Sequence, residues 1–244
     1  MLATIRELGF EPSIARSEAK SKLPGTGDFG ALLARVVTDG RVDYARLEKD
    51  RGILDAYLSA VAKAEPQKAG KKARLAFYIN AYNAATLASV LDLVKGKGKQ
   101  GKDLGGVLEA KGFFKEKRIL VAGKRRSLDG IERLGRALGD PRIHFAVNCA
   151  SVSCPVLLNR AWKPETLDRD LDAATRAYLA SKHGLRIEDG RVRVSPILRW
   201  YEKDFGGKRG VRSFLLRHVP KAARKSLDKG IGWLGYDWGL NAKR

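Results

Sequence analysis

The stretch RIHFAVNCASVSCP, residues 142–155, contains both cysteines of the chain and one of its three histidines. Three chemistries compete for these side chains: a reactive thiol, a disulfide staple and a metal half-site. A thiolate forms readily at neutral pH when a base or a positive field lies within hydrogen-bond reach. Cys149 is the better nucleophile, because the small residues ASVS behind it can open a turn whose N–H groups lower a thiol pKa, whereas Pro155 restricts Cys154 to a turn exit. His144 is the first candidate base. The alternation in RIHFAVN predicts a strand, and in an extended chain five steps separate the two Cα atoms by roughly 16 Å. A direct dyad therefore requires the chain to fold back immediately after Asn148; otherwise His183 or His218 supplies the imidazole. A Cys149–Cys154 disulfide would close a small loop worth about 2 kcal/mol in an exported protein, and two free, half-buried thiols suit a reducing cytosol. The spacing H-x4-C-x4-C matches no standard zinc pattern, so no metal is expected.

Further polar residues can support a thiol. Asn80 and Asn83 stand three apart on the most apolar helix of the chain, on one face, where they either donate to an oxyanion or bracket loop backbone against the helix. Asp204, in WYEKDFGG, either caps a neighbouring element or pairs with an arginine; buried beside a histidine, it becomes the group that orients a catalytic imidazole. Trp200 and Tyr201 of the same string, with Asn148, Ser153 and Cys154, are the candidate binding residues. His183 and His218 read as unremarkable groups near helix ends. The glycines of KGKGKQGKDLGG lack the spacing of a phosphate loop and no serine elbow occurs, so no cofactor is expected.

The elements that must hold these residues are helices interleaved with short strands. Helical spacing is expected in DFGALLARVV, ARLEKDRGILDAYLSAVAKA and ARLAFYINAYNAATLASVLDLV, the last apolar nearly all round and hence central. SLDGIERLGRAL reads as a helix with Asp129 as N-cap and Glu132 three residues on, and WKPETLDRDLDAATRAYLAS as a helix with Pro164 in its first turn. KRILVAGKRRSL reads as two strands around Gly123-Lys124, GLRIEDGRVRVS as a β-hairpin with Asp189-Gly190 at its tip, and PILRWYEKDFGG as a short helix ended by glycines. Further helical pieces are expected near 211–217 and 221–228. Without βαβ alternation the class is α+β, mostly helical, with a small antiparallel sheet. Residues 1–27 read as an arm and 28–244 as one globular domain; the lysine and glycine tract 95–102 reads as an exposed flexible loop.

The strings AFYINAYNAATLASVL, SLDGIERL, RIHFAVNCASVSCPVL, WYEKDFGG and YDWGLN resemble, in order, the domain-of-unknown-function family 547 over about residues 30–241. The resemblance implies a fold-scale identity and no assigned chemistry, in a family whose bacterial members often carry export signals; a kinship to papain-like or transglutaminase-like thiol enzymes is a separate expectation that the resemblance does not carry.

Forty-eight Lys and Arg against 27 Asp and Glu give a net charge of +21. Such a surface attracts polyanions without specificity, but no zinc-finger spacing, RNP-type motif or long basic helix accompanies it. No apolar run reaches the roughly 20 residues of a spanning helix. The chain as written shows no export signal and is expected in the cytoplasm, or in the periplasm or outside the cell if it is a mature form. The reading that follows is a monomeric thiol-dependent hydrolase or acyl transferase for a peptide-like or amide bond in a small molecule or peptide, with Cys149 as nucleophile. The rival is a non-catalytic domain whose basic surface binds an anionic partner.

Overall fold

The computed structural model describes residues 22–97 and 104–243. Most of the expected N-terminal arm, and the lysine and glycine tract beyond Lys97, lie outside the described residues. The fold is α+β. Helix α4 (Lys71–Gly96) runs through its middle, and every residue from Ile79 to Leu91 is buried. That is the physical meaning of a helix with no solvent face. Around it pack α1 (Gly27–Val36), α2 (Tyr44–Lys49), α3 (Arg51–Ala62) and α5 (Leu128–Arg136). The expected single helix over 45–64 is interrupted at Asp50, the C-cap of α2 and N-cap of α3.

A smaller core gathers α6 (Leu167–Ala180), α7 (Ile197–Trp200), α8 (Gly207–His218) and α9 (Lys221–Arg224) with a three-stranded sheet. In that sheet β5 (Leu185–Glu188) and β6 (Arg191–Val194) form the expected hairpin, with Asp189 and Gly190 at φ of 52° and 70° as a type I′ turn requires. Strand β7 (Ile231–Trp233) joins β6 in parallel, which the sequence reading did not include. Two further hairpins are β1 (Val37–Thr38) with β2 (Arg41–Val42), and β3 (Ile119–Val121) with β4 (Lys124–Arg126). The second turns on Ala122-Gly123, one residue earlier than expected, because these two residues take the positive φ. PILRWYEKDFGG is broken rather than continuous: α7 ends at Trp200, and a 3₁₀ turn spans Glu202–Phe205 before Gly206 adopts φ of 86°.

RIHFAVN is not a strand. Pro141 opens a 3₁₀ helix over Pro141–Phe145, and the Asp140 carboxylate accepts the Arg142 N–H at 3.0 Å as its cap. The alternation is real but serves two cores: Ile143, Ala146 and Val147 pack into the larger one, and Phe145 into the smaller. His144 therefore sits on the seam between them. Helix α5 is also capped differently from the expectation. Ser127, not Asp129, accepts the Gly130 N–H, at 3.1 Å, which leaves both Asp129 and Glu132 free of capping duty.

The last residues tie the two cores together. Bridges join Gly239 to Gly106, Leu240 to Ser151 and Ala242 to Val42. A Cβ at Gly106 would overlap the Trp238 carbonyl oxygen, so only glycine lets the tail lie this close. The tail brings Tyr236 and Trp238 beside the cysteine loop.

Candidate active site

Cys149 lies just past the 3₁₀ helix, on a loop held by amide side chains. Asn83, from α4, accepts the Asn148 N–H at 2.9 Å and donates to the Ala146 carbonyl at 3.1 Å. Asn148 donates to the Pro155 carbonyl at 2.7 Å, and its Oδ1 accepts from the Ala150 N–H and from Asn241. Asn80 does the same for a second loop, pairing with both the N–H and the carbonyl of Trp162. The two amides are thus brackets between α4 and loop backbone, and neither lines the cleft described below. The loop they hold is tight: Ala150 takes φ of 64°, a left-handed conformation that costs on the order of 1 kcal/mol for a residue with a Cβ. The 3₁₀ turn over Pro141–Phe145, in place of an extended strand, is what lets His144 and Cys149 line one cavity.

That cavity, about 200 Å³, is lined by Cys149, Cys154, Glu132, His144, Tyr201 and Tyr236 among others. Both cysteines are free thiols. Cys154 is buried, and its sulfur accepts the Cys149 N–H at 3.0 Å. Cys149 Sγ is 3.0 Å from Ser151 Oγ and 3.4 Å from Tyr236 OH. The Cys154 thiol, with help from these two hydroxyls, outweighs burial and lowers the Cys149 pKa to about 6, while burial pushes the Cys154 thiol well up. One sulfur is therefore ionised near neutrality and its neighbour protonated.

His144 is directed elsewhere. Its Nε2 is 2.8 Å from Asp204 Oδ2, and Arg136 holds the same carboxylate through two contacts of 2.6 and 3.1 Å. Burial raises the Asp204 pKa, but Arg136 and His144 outweigh it and keep the group an anion. An anionic acceptor fixes the proton of neutral imidazole on Nε2. Burial, against the pull of Asp204, lowers the His144 pKa to about 4, so the ring is neutral at pH 7. Tyr201 stacks on it at 3.9 Å between centroids, and the Arg136 guanidinium lies over the tyrosine ring, 4.7 Å from its centroid. The remaining nitrogen, Nδ1, points at Glu132 Oε1 across 3.6 Å. Both atoms are buried and neither has a hydrogen-bond partner. Burial raises the Glu132 pKa to about 7, partly opposed by the Tyr201 hydroxyl, which donates to Oε2 at 3.2 Å.

Of the residues singled out from sequence, Cys149, Cys154, His144, Trp200 and Tyr201 line the cavity, and Asp204 stands behind it on His144. Asn148 supports the loop from beneath. Ser153 faces a separate depression, where its Oγ meets His183 Nδ1 at 3.0 Å, so His183 is a partnered side chain away from the cysteine cavity. His218 bonds the Phe214 carbonyl within α8. Sequence reasoning missed Glu132, Ser151, Tyr236 and Trp238 as site residues. Among the described residues no cluster suited to a metal ion occurs, and no helix is long and apolar enough to cross a membrane.

Residues 66–179 match the family model described as protein of unknown function, DUF547. The motif resemblance drawn over 30–241 is covered in its middle part, and Trp200, Asp204, Tyr236 and Trp238 come from beyond the matched segment. No curated protein and no solved structure matches the chain.

Proposed function

We propose from the chemistry of the cleft that the chain, whose residues 66–179 match the model of DUF547, a protein family of unknown function, is a thiol-dependent hydrolase or acyl transferase acting on a peptide-like or amide bond, with Cys149 as nucleophile. The observation that carries the proposal is a cysteine sulfur on a cavity wall, within reach of two hydroxyl donors and the neighbouring thiol, with its pKa lowered to about 6. Such a thiolate needs no dedicated base to form.

In the first step the Cys149 sulfur attacks the carbonyl carbon, and the C–S bond forms as the carbonyl electrons move to oxygen. Tyr236, whose hydroxyl proton no longer serves a thiolate, can donate to that oxygen. As the C–N bond breaks, the departing amine takes its proton from Glu132, the cleft carboxyl that is still half protonated near pH 7. Glu132, now a carboxylate, then removes a proton from water or an acceptor that attacks the thioester, and the thiolate leaves. His144 and Asp204 act as positioning residues in this scheme: Asp204 fixes the ring, and Tyr201, stacked on that ring, donates to Glu132 Oε2 and so holds the carboxyl.

The test is acylation by p-nitrophenyl acetate followed by peptide mapping. The proposal expects an acetyl group on the peptide bearing Cys149, formed faster than on any surface nucleophile, and absent in Cys149→Ser. An unmodified Cys149 under conditions that acetylate lysines would sink it.

A further inference from the structure

The cleft differs in charge from the rest of the molecule. Lys and Arg make up 48 of 244 residues, yet among the described residues none lines this cavity, whereas two carboxyl groups, Asp129 and Glu132, do. Asp129 is half-buried and has no ion pair or side-chain hydrogen bond among the described residues. Glu132 is 7% exposed, and its Oε1 is buried without a partner. A buried acceptor left unmatched is costly, and a donor entering the cavity relieves that cost. The mouth is aromatic: Trp200 stands 4.9 Å from Tyr236 and 5.7 Å from Trp238, and Tyr236 stands 4.6 Å from Trp238. Trp200 is 48% exposed despite its size. Joined aromatic faces beside carboxyl groups recognise organic cations, the faces by their quadrupoles and the carboxyls by charge and hydrogen bonds.

From this juxtaposition we infer that the cleft holds a primary alkylammonium group of its substrate, with Asp129 and Glu132 as acceptors and Trp200, Tyr236 and Trp238 as the surrounding wall. The inference rests on the acyl-transfer reading for its place in a reaction: once Glu132 has given its proton to the departing amine it is a carboxylate, and the ammonium it then holds is that of the amine that leaves or of the amine that replaces it. Arg136 bears on both carboxyls and Lys115 and Arg133 on Asp129, but Arg136 is itself paired with Asp204, and at physiological ionic strength the exposed charges of the +21 surface beyond about 8 Å are largely screened. Two chemistries carry such a group: a lysine-type side chain and the free amino terminus of a peptide.

Binding is measured in the full chain carrying Cys149→Ala, by the fluorescence of the cleft tryptophans, so that no reaction intervenes. The probes are Nα-acetyl-lysine methylamide, with only the side-chain ammonium; alanine methylamide, with only the α-ammonium; and Nα,Nε-diacetyl-lysine methylamide, uncharged. At least one ammonium probe should bind tighter than the neutral one by roughly tenfold or more, and the better of the two identifies the source. Glu132→Gln and Asp129→Asn, each confirmed as folded by its melting transition, should each weaken that probe and leave the neutral one unchanged. Equal or tighter binding of the neutral probe, no saturation by either ammonium, or unchanged ammonium affinity in both variants would overturn the inference. Ammonium binding without acylation of Cys149 in the wild type would sink the acyl-transfer reading alone, and acylation without ammonium preference would sink this one alone.

Discussion

Replacing Ser151 by alanine tests how the Cys149 thiolate is held. Three contacts join Cys149 Sγ, Ser151 Oγ and Tyr236 OH, at 3.0, 3.4 and 3.1 Å, with only two hydroxyl protons to fill them. When the sulfur is ionised both protons can turn toward it; when it carries its own proton, that advantage is gone. Each hydroxyl therefore favours the charged form. A hydrogen bond to a charged group contributes about 1.5–3 kcal/mol, and 1.36 kcal/mol corresponds to one pKa unit. The Ser151 contact is the shorter of the two made to sulfur, so Ser151→Ala should raise the Cys149 midpoint from about 6 by roughly one to two pH units. The assay is ultraviolet thiolate absorbance against pH, in a background with Cys154→Ala so that a single thiol is followed. That background starts from a higher midpoint, because Cys154 is the foremost cause of the low value. A midpoint that stays within a few tenths of its parent after loss of Ser151 would refute the reasoning.

Tyr236→Phe should move the same midpoint less than Ser151→Ala, in keeping with its longer contact to sulfur; an equal or larger shift contradicts the geometry. Glu132 and His144 should oppose each other in stability against pH. Glu132 goes from 4.5 to about 7 on folding, so its contribution is complete at low pH and is lost as pH rises toward 7; His144 goes from 6.5 to about 4, so its contribution is complete above 6.5 and is lost as pH falls toward 4. Each is on the order of 3 kcal/mol, and Glu132→Gln should unmask the second, giving stability in urea that rises with pH from 4 to 6.5 more steeply than in the wild type. Identical slopes would count against the assignment. Asn83→Ala leaves the Asn148 N–H and the Ala146 carbonyl without their partner and should cost about 1–3 kcal/mol in the same assay; a change below a few tenths would show that the bracket carries no weight.

Local periodicity made the helices and the 185–194 hairpin legible, because each buries one face or turns on residues with a fixed φ preference. It misled at RIHFAVN, where alternate residues enter two different cores and Asp140-Pro141 was the available sign of a capped 3₁₀ turn. Asp204 was readable only as a conditional, an orienter if buried beside a histidine; it does contact His144, but as a partly exposed carboxylate that also pairs with Arg136, the other partner the sequence allowed. Glu132 was hidden by assigning the helix cap to Asp129, which gave its carboxyl a capping task; with Ser127 as the cap that task disappears. Tyr236 and Trp238 reach the cleft through bridges from the tail to Gly106 and Ser151, and no local pattern encodes a partner so far away in sequence.

The most direct measurement of the central claim is the rate of iodoacetamide alkylation of wild-type Cys149 as a function of pH, with the modified peptide identified at each point. A Cys149 rate that reaches half its plateau near pH 6, with Cys154 unmodified, is the result this site requires. A half-plateau at or above the ordinary thiol range, about 8.5, or no alkylation of Cys149 at all, would contradict it.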